Sequence, residues 1–281
     1  MPWIFGRELA NTRRAALKTR LQIENHAPRL AVLLVGHDPA SELYVRLKQR
    51  AANEAGITFT LRHEDRLTTE EAITIIQEWN ADSSIHGILV QLPLPNGLDT
   101  DAIIQAINPK KDVDAFHPDN RAALIAGRAQ LFSPVHLAVL YLIAQTPLHL
   151  NGAETLLLAK SDVFSEPLAH LLRKAGAVVT ISPDVPSARH LAEFSLVVTS
   201  IGQAGSLRGE MLDSNCVIID ISTNTKEGST VGDFDKNTLQ EHQWASPVPG
   251  GVGPLTIAFL LENVVAARDH QSSIETSHSD V

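Results

Sequence analysis

Short apolar runs alternate along this chain with longer segments whose apolar residues recur at helical spacing, and the alternation occurs in two blocks. Residues 5–26 interleave Arg7, Glu8, Arg13, Arg14, Lys18 and Arg20 with Leu9, Ala15, Leu17 and Leu21, which predicts a half-exposed amphipathic helix. Residues 30–35 are apolar throughout, the pattern of a strand buried on both faces. Asp38 can cap a following helix, Pro39 suits its first turn and Gly56 can end it. Residues 57–61 read as a second strand, and residues 68–71 as a capping box opening a helix to Trp79. Residues 88–92 read as a third strand, ended by Pro93 and Pro95. A short helix over 101–107 leads into a polar connection from Asn108 to Asn120. Strand, helix, strand, helix, strand predicts a parallel α/β sheet.

A mainly apolar helix at 134–144, within a connecting segment over 132–146, links this block to the next. There, residues 155–159, 177–181, 196–200 and 217–221 read as strands, with a helix over 166–175 and a shorter one between the second and third strands. This is the outline of a mononucleotide-binding arrangement. Residues 246–254 are too rich in Gly and Pro for regular structure. A strongly apolar helix follows over 255–267, and the polar tail from Asp269 is expected to be disordered.

Composition narrows the possibilities. At 281 residues the chain suggests two domains, each able to bury a core. A formal net charge of −9 without a basic run disfavours nucleic-acid binding. No apolar run is long enough to span a bilayer, and the first residues lack a signal-like pattern, so a cytoplasmic location is expected. The single cysteine, Cys216, sits in an apolar run and reads as a small buried hydrophobe. The 12 histidines are scattered without ligand spacing, so no metal is expected.

The chemistry that stands out lies on the helix from Pro39. Ser41, Tyr44 and Lys48 fall at i, i+3 and i+7, placing a hydroxyl, a phenol and an amine on one face. On that helix alone the stripe reads as a solvated face with Lys48 as an ordinary surface amine. Gln91 sits near the carboxyl end of a parallel strand, where open α/β sheets bind ligands.

Four separated segments carry a resemblance: Gly36-His-Asp-Pro-Ala-Ser-Glu-Leu-Tyr-Val-Arg-Leu-Lys48, Gly87-Ile-Leu-Val-Gln-Leu-Pro-Leu-Pro95, Lys111-Asp-Val-Asp-Ala-Phe-His-Pro118 and Pro247-Val-Pro-Gly-Gly-Val-Gly-Pro-Leu-Thr256. In order and spacing they resemble the bifunctional methylenetetrahydrofolate dehydrogenase/cyclohydrolase family, the FolD proteins. The resemblance implies a folate-binding catalytic domain (1–125 plus 256–281) and a Rossmann-like dinucleotide domain (126–255) flanking a cleft, commonly in a homodimer. It implies that Lys48 is the catalytic amine, with Gln91 holding it and Tyr44 offering its ring to the aminobenzoyl group and its hydroxyl to the reacting centre. Asp114 would meet the pterin, as a carboxylate matches paired N–H donors. Ser41, Pro249, Gly250, Gly251 and Thr256 would complete the substrate site. Ala159, Lys160, Ser161, Asp184, Gly202 and Thr223 would line the cofactor, NADP or NAD.

The second domain departs from the family. Where the family has Gly-Arg-Ser-x-x-Val-Gly-x-Pro, this chain has Ala159-Lys-Ser-Asp-Val-Phe-Ser-Glu-Pro167. A Cβ at either glycine position is expected to obstruct the pyrophosphate, and lysine lacks the bidentate grip of arginine on a 2′-phosphate. The family's Pro-Cys-Thr-Pro-x-Gly is here Pro134-Val-His-Leu-Ala-Val139, its Asp-Val-Gly-x-Asn is Asp220-Ile-Ser-Thr-Asn224, and Ala115 replaces a glycine. Asp184 stands where dinucleotide folds place the acid that binds a ribose diol, or is simply a turn aspartate beside Pro183. Three readings follow: a bifunctional enzyme with altered cofactor contacts, a cyclohydrolase with weak or lost dehydrogenase activity, or a catalytically silent folate-binding paralogue.

Overall fold

In the computed structural model, the described residues are 3–24 and 26–279, with side chains described through 272. The elements in chain order begin with α1 (Gly6–Glu24), β1 (Arg29–Val35), α2 (Pro39–Ala55), β2 (Thr58–Glu64), α3 (Thr69–Ala81) and β3 (Gly87–Val90). There follow α4 (Thr100–Gln105), α5 (Pro118–Ile125), α6 (Pro134–Ile143), β4 (Glu154–Ala159), α7 (Asp162–Lys174), β5 (Val178–Ser182), α8 (Ala188–Leu191), β6 (Leu196–Ser200) and β7 (Val217–Asp220). A hairpin of β8 (Asn224–Lys226) and β9 (Ser229–Val231), then β10 (Trp244–Ala245) and α9 (Val252–Ser279), complete the order. Two compact units form: Asn11–Pro134 with Ile257–Val281, and Met1–Ala10 with Val135–Thr256.

The unit of Asn11–Pro134 is built on a parallel sheet of order β2-β1-β3. The unbroken apolar run of β1 has a direct cause. Leu30, Val32 and Leu34 pack in one core with Val45, Ala52, Leu260 and Val264, while Ala31, Leu33 and Val35 pack in another with Ala72, Ile76 and Trp79. Both faces of the strand are covered, so neither tolerates a polar residue. β2 lies at the edge and carries on through Arg62, His63 and Glu64, three residues beyond its apolar stretch, because an edge strand accepts charge on its open side. A strand-like bridge from Ile88 to Asp112 extends the sheet beyond β3. α5 was not evident in the polar connection; its signals are Pro118 in the first turn and His117, whose Nδ1 accepts from the Asp119 amide at 3.0 Å.

The other unit holds a parallel sheet of order β10-β7-β6-β4-β5. Trp3 bridges Ala245, and the Ile4 amide donates to the Ala245 carbonyl at 2.9 Å, so the first residues of the chain group with this unit. α7 begins at Asp162, four residues earlier than its apolar pattern indicates, with Ser161 at the N-cap. The β8–β9 hairpin is too short and exposed to show an apolar pattern; its turn, Glu227-Gly228, takes positive φ at both residues (51° and 74°). α9 runs to Ser279, which corrects the expectation of a disordered tail from Asp269. Its polar residues have partners far away in the sequence: Arg20 donates to Asp269 at 2.6 Å and Gln271 Nε2 donates to the His86 carbonyl at 2.9 Å.

Candidate active site

α2 presents the predicted face because both its ends are fixed. Asp38 accepts from the Ser41 amide at 2.7 Å, and Gly56 closes the helix in the left-handed region at φ 87°. Ser41 is buried, and its Oγ has no hydrogen-bond partner among the described residues; Tyr44 and Lys48 are half-buried.

Lys48 Nζ donates to Gln91 Oε1 at 2.9 Å. Gln91 has little freedom to do otherwise. Its amide donates to the Leu33 carbonyl at 2.9 Å and its Nε2 donates to the Leu92 carbonyl at 2.6 Å, which leaves the side-chain oxygen facing Lys48. In the order β2-β1-β3 the connections leave β1 in opposite directions, and Gln91 lies just past the carboxyl end of β3. Open α/β sheets form their crevice at such a point.

Burial lowers the Lys48 pKa, with the Asp114 carboxylate acting in the opposite sense. Burial also raises the Asp114 pKa to about 6, Lys48 pulling it down and Asp112 pushing it up. The pair therefore combines an amine inclined to be neutral with a carboxyl group inclined to hold a proton, which suits proton transfer near neutral pH.

Sequence reasoning missed the residues that hold Asp114 in place. The Lys111 ammonium donates to the carbonyls of Trp79, Asn80 and Asp82 at 3.1, 2.9 and 2.7 Å, tying the segment to the carboxyl end of α3. Asp112 accepts from the His117 amide at 2.8 Å and from Asn120 at 3.0 Å. Asn263 on α9 donates to the Val113 carbonyl at 2.8 Å. These contacts hold Ala115 at φ 56°, a region a side chain rarely enters. The glycine that the family has there was a readable signal for this conformation.

Pro249, Gly250, Gly251 and Thr256 belong to the other unit. Gly250 adopts φ 115°, its carbonyl accepts from the Arg7 amide at 3.2 Å, and the Gly251 amide donates to the Pro247 carbonyl at 2.7 Å. α1 begins hard against this loop: a Cβ on Gly6 would lie 2.0 Å from the Gly251 oxygen. Thr256 Oγ1 donates within its own helix, to the Val252 carbonyl at 3.1 Å.

The strand order also places a switch point between β4 and β6, where Ala159 pairs with Ser200. The two replacements for glycine are both buried. Ala159 and Ser165 are 5% and 1% exposed, so their side chains fill interior space, and Lys160 and Ser161 occupy the exposed position at the start of α7. Ser161 makes no side-chain cap bond. An exposed amine, an uncommitted hydroxyl and a helix N-terminus fit the phosphates of a dinucleotide, although Asp162 in the first turn opposes them. Gly202, at φ 71°, donates its amide to Ser222 Oγ at 3.3 Å, and Thr223 is exposed beside it. Ser222, in the place of the family's glycine, donates to Asp233 at 2.5 Å; Asp233 also accepts from Thr199 at 2.7 Å and the Gln203 amide at 2.6 Å. Asp184 is exposed in the turn after β5, where Ser182 Oγ donates to its carbonyl at 2.6 Å.

Comparison with known proteins covers both units. The tetrahydrofolate dehydrogenase/cyclohydrolase catalytic domain matches residues 4–114, and the NAD(P)-binding domain of the same family matches residues 133–272. The bifunctional protein FolD of Halothermothrix orenii is 37% identical over 278 residues, 95% of this chain and 98% of its own. That of Acidiphilium cryptum is 41% identical over 269 residues, 94% of this chain and 96% of its own. Among solved structures, the bifunctional FolD methylenetetrahydrofolate dehydrogenase/cyclohydrolase of Campylobacter jejuni superposes with a TM-score of 0.90 at 34% identity, covering 96% of this chain and 99% of that one. The Trypanosoma brucei enzyme, complexed with NADP and an inhibitor, gives 0.90 at 28% identity, with the same coverage.

Proposed function

The chain belongs to the tetrahydrofolate dehydrogenase/cyclohydrolase family, and on that premise we propose that it converts 5,10-methylenetetrahydrofolate to 10-formyltetrahydrofolate by way of the methenyl cation. The observation that carries this reading is the Lys48–Gln91 hydrogen bond, with the Asp114 carboxylate acting on the same amine. Lys48 in its neutral form takes a proton from the water that adds to the methenyl carbon and delivers it to N5 as the C–N5 bond breaks, while the hydroxyl proton leaves to solvent as the formyl carbonyl forms. Gln91 keeps the amine aimed; Tyr44 and Ser41 flank it on the same helix face. Asp114 receives the paired N–H donors of the pterin. Pro249, Gly250, Gly251 and Thr256 complete the substrate contacts, the glycines permitting close approach of backbone.

A nicotinamide dinucleotide supplies a hydride acceptor for the methylene carbon when bound. Lys160, Ser161 and the first turn of α7 would hold its phosphates, with Ala159, Gly202 and Thr223 lining the crevice. Asp184, in the turn after β5, which pairs with β4, would accept from a ribose diol and repel a 2′-phosphate, so NAD is the preferred cofactor. A cytoplasmic homodimer is part of the same proposal. No helix among the described residues is long and apolar enough to cross a membrane.

The purified protein is tested for hydrolysis of methenyltetrahydrofolate and, separately, for reduction of NAD and of NADP with methylenetetrahydrofolate. Both activities, with NAD favoured, are expected. Asp162 and the loss of the arginine at Lys160 favour a second reading, a cyclohydrolase without dehydrogenase activity, which hydrolysis without reduction would establish. Folate binding with neither activity would leave only a silent paralogue.

A further inference from the structure

The unit of Asn11–Pro134 has a second concavity, at the amino edge of its sheet. It is bordered by Arg29 at the start of β1, Thr58 at the start of β2 and His86 immediately before β3. The carboxyl end of α3, Lys110, Lys111 and Gln271 on α9 close it, and its volume is about 550 Å³, within the range of small-molecule sites. In a chain of net charge −9, no aspartate or glutamate among the described side chains lines it, whereas His26, Arg29, His86, Lys110 and Lys111 do.

These basic groups differ in how far they are already committed. Lys111 is spent on the three carbonyls at the end of α3. Neither Arg29 nor Lys110 forms an ion pair among the described residues. His86 is fixed as a donor: its Nδ1 accepts from the Arg29 amide at 3.0 Å, so its proton sits on Nε2. The His26 and His86 rings meet edge to face, 5.9 Å between centroids. Burial, followed by the charges of His26, Arg268, Lys111 and Arg29, holds the His86 pKa down to about 4. The basic groups outnumber a nearby carboxylate, Asp82, which interacts electrostatically with Arg29 and Lys111 but does not line the cavity.

We propose that this cavity binds a phosphate-bearing small metabolite, with the phosphate on Arg29, Lys110 and the Nε2–H of His86 and the rest of the molecule along Ser83, Ser84 and Gln271. Guanidinium, ammonium and a neutral imidazole donor are the groups that bind a dianion well. The volume exceeds that of one phosphate group and leaves room for an uncharged portion.

Inorganic pyrophosphate is the probe, titrated calorimetrically into the full-length protein at constant ionic strength, with the imidazole signal of His86 followed by NMR. A site at this cavity is expected, separate from any at the turn before α7, its affinity weakened at least tenfold in the Arg29→Ala/Lys110→Ala double variant and unchanged in Lys160→Ala. The His86 pKa should rise by a unit or more on saturation, since an anion stabilises the imidazolium. Equal affinity in the double variant, or an unmoved His86, would overturn the proposal. So would a loss that follows Lys160→Ala, which would place the anion at the turn before α7. Citrate binding as tightly as pyrophosphate would overturn the phosphate assignment in favour of polycarboxylates. Arg29→Lys, which retains charge at a half-buried strand end, should restore part of the affinity if the double variant folds poorly.

Discussion

Lys48 is the residue on which the proposed chemistry turns, and its environment determines the form of the pH dependence. Its pKa is lowered and the active form is neutral, so the hydrolysis rate should climb with pH through that pKa and then level off. Lys48→Met should reduce hydrolysis by roughly 10²–10⁴-fold while folate binding survives; a fully active variant would remove Lys48 from the mechanism. Ala115 offers a stability test. At φ 56° its methyl group occupies a strained region, so Ala115→Gly should stabilise the fold by about 1 kcal/mol in urea unfolding. The alignment of Ser41, Tyr44 and Lys48 was legible because helical spacing is local. The pKa of Asp114 was not, because it depends on burial and on Lys48 and Asp112, which local pattern does not bring together. Asp114 also couples stability to pH. Its folded pKa of about 6 lies above the ordinary carboxylate value, so the stability from its protonated form is full in acid and is lost as pH rises through about 6. Asp114→Asn should therefore flatten the decline in stability between about pH 4 and 7, read by thermal unfolding across that range.

Elements whose periodicity reports burial on known faces were read well, and those fixed by polar contacts were not. β1 and β6 show this: every position of β6 up to Thr199 is buried, and its apolar run marked its bounds. α5 begins on a histidine cap and the β8–β9 hairpin on a turn, neither of which has an apolar stripe of its own. The far end of α9 was misread for the same reason, since Arg20 and His86 receive its polar residues from distant parts of the chain. α3 depends on one such contact. Lys111→Met would leave three carbonyls at its carboxyl end without their shared donor, and should cost about 2–3 kcal/mol in urea unfolding and, because Lys111 helps to hold the segment of Asp114, weaken folate binding as well. A loss below about 0.5 kcal/mol would show that water replaces the ammonium there.

At the scale of the whole molecule, two parallel sheets were legible from the alternation of strand and helix, and the switch points followed from their connection order. The edge of the larger sheet bears on assembly. β5 is its terminal strand, and Val178 on it is 51% exposed. If the proposed homodimer forms along that edge, Val178→Lys should raise the dimer dissociation constant at least tenfold in sedimentation equilibrium; an unchanged constant would place the interface elsewhere. The grouping of the chain ends could not be foreseen, because Trp3 meets Ala245 through a single bridge and Gly6 meets Gly251 through the absence of a side chain.

That grouping has a consequence during synthesis. The unit of Asn11–Pro134 also needs Leu260, Leu261, Val264 and Val265 for one of its two cores, and these emerge from the ribosome after the whole of the other unit has been made. The earlier-made unit must wait, with the apolar surface meant for α9 uncovered, for nearly half the time translation takes. A chaperone that recognises exposed apolar helix faces would find its binding site here on nascent chains longer than about 130 residues and lose it only near completion.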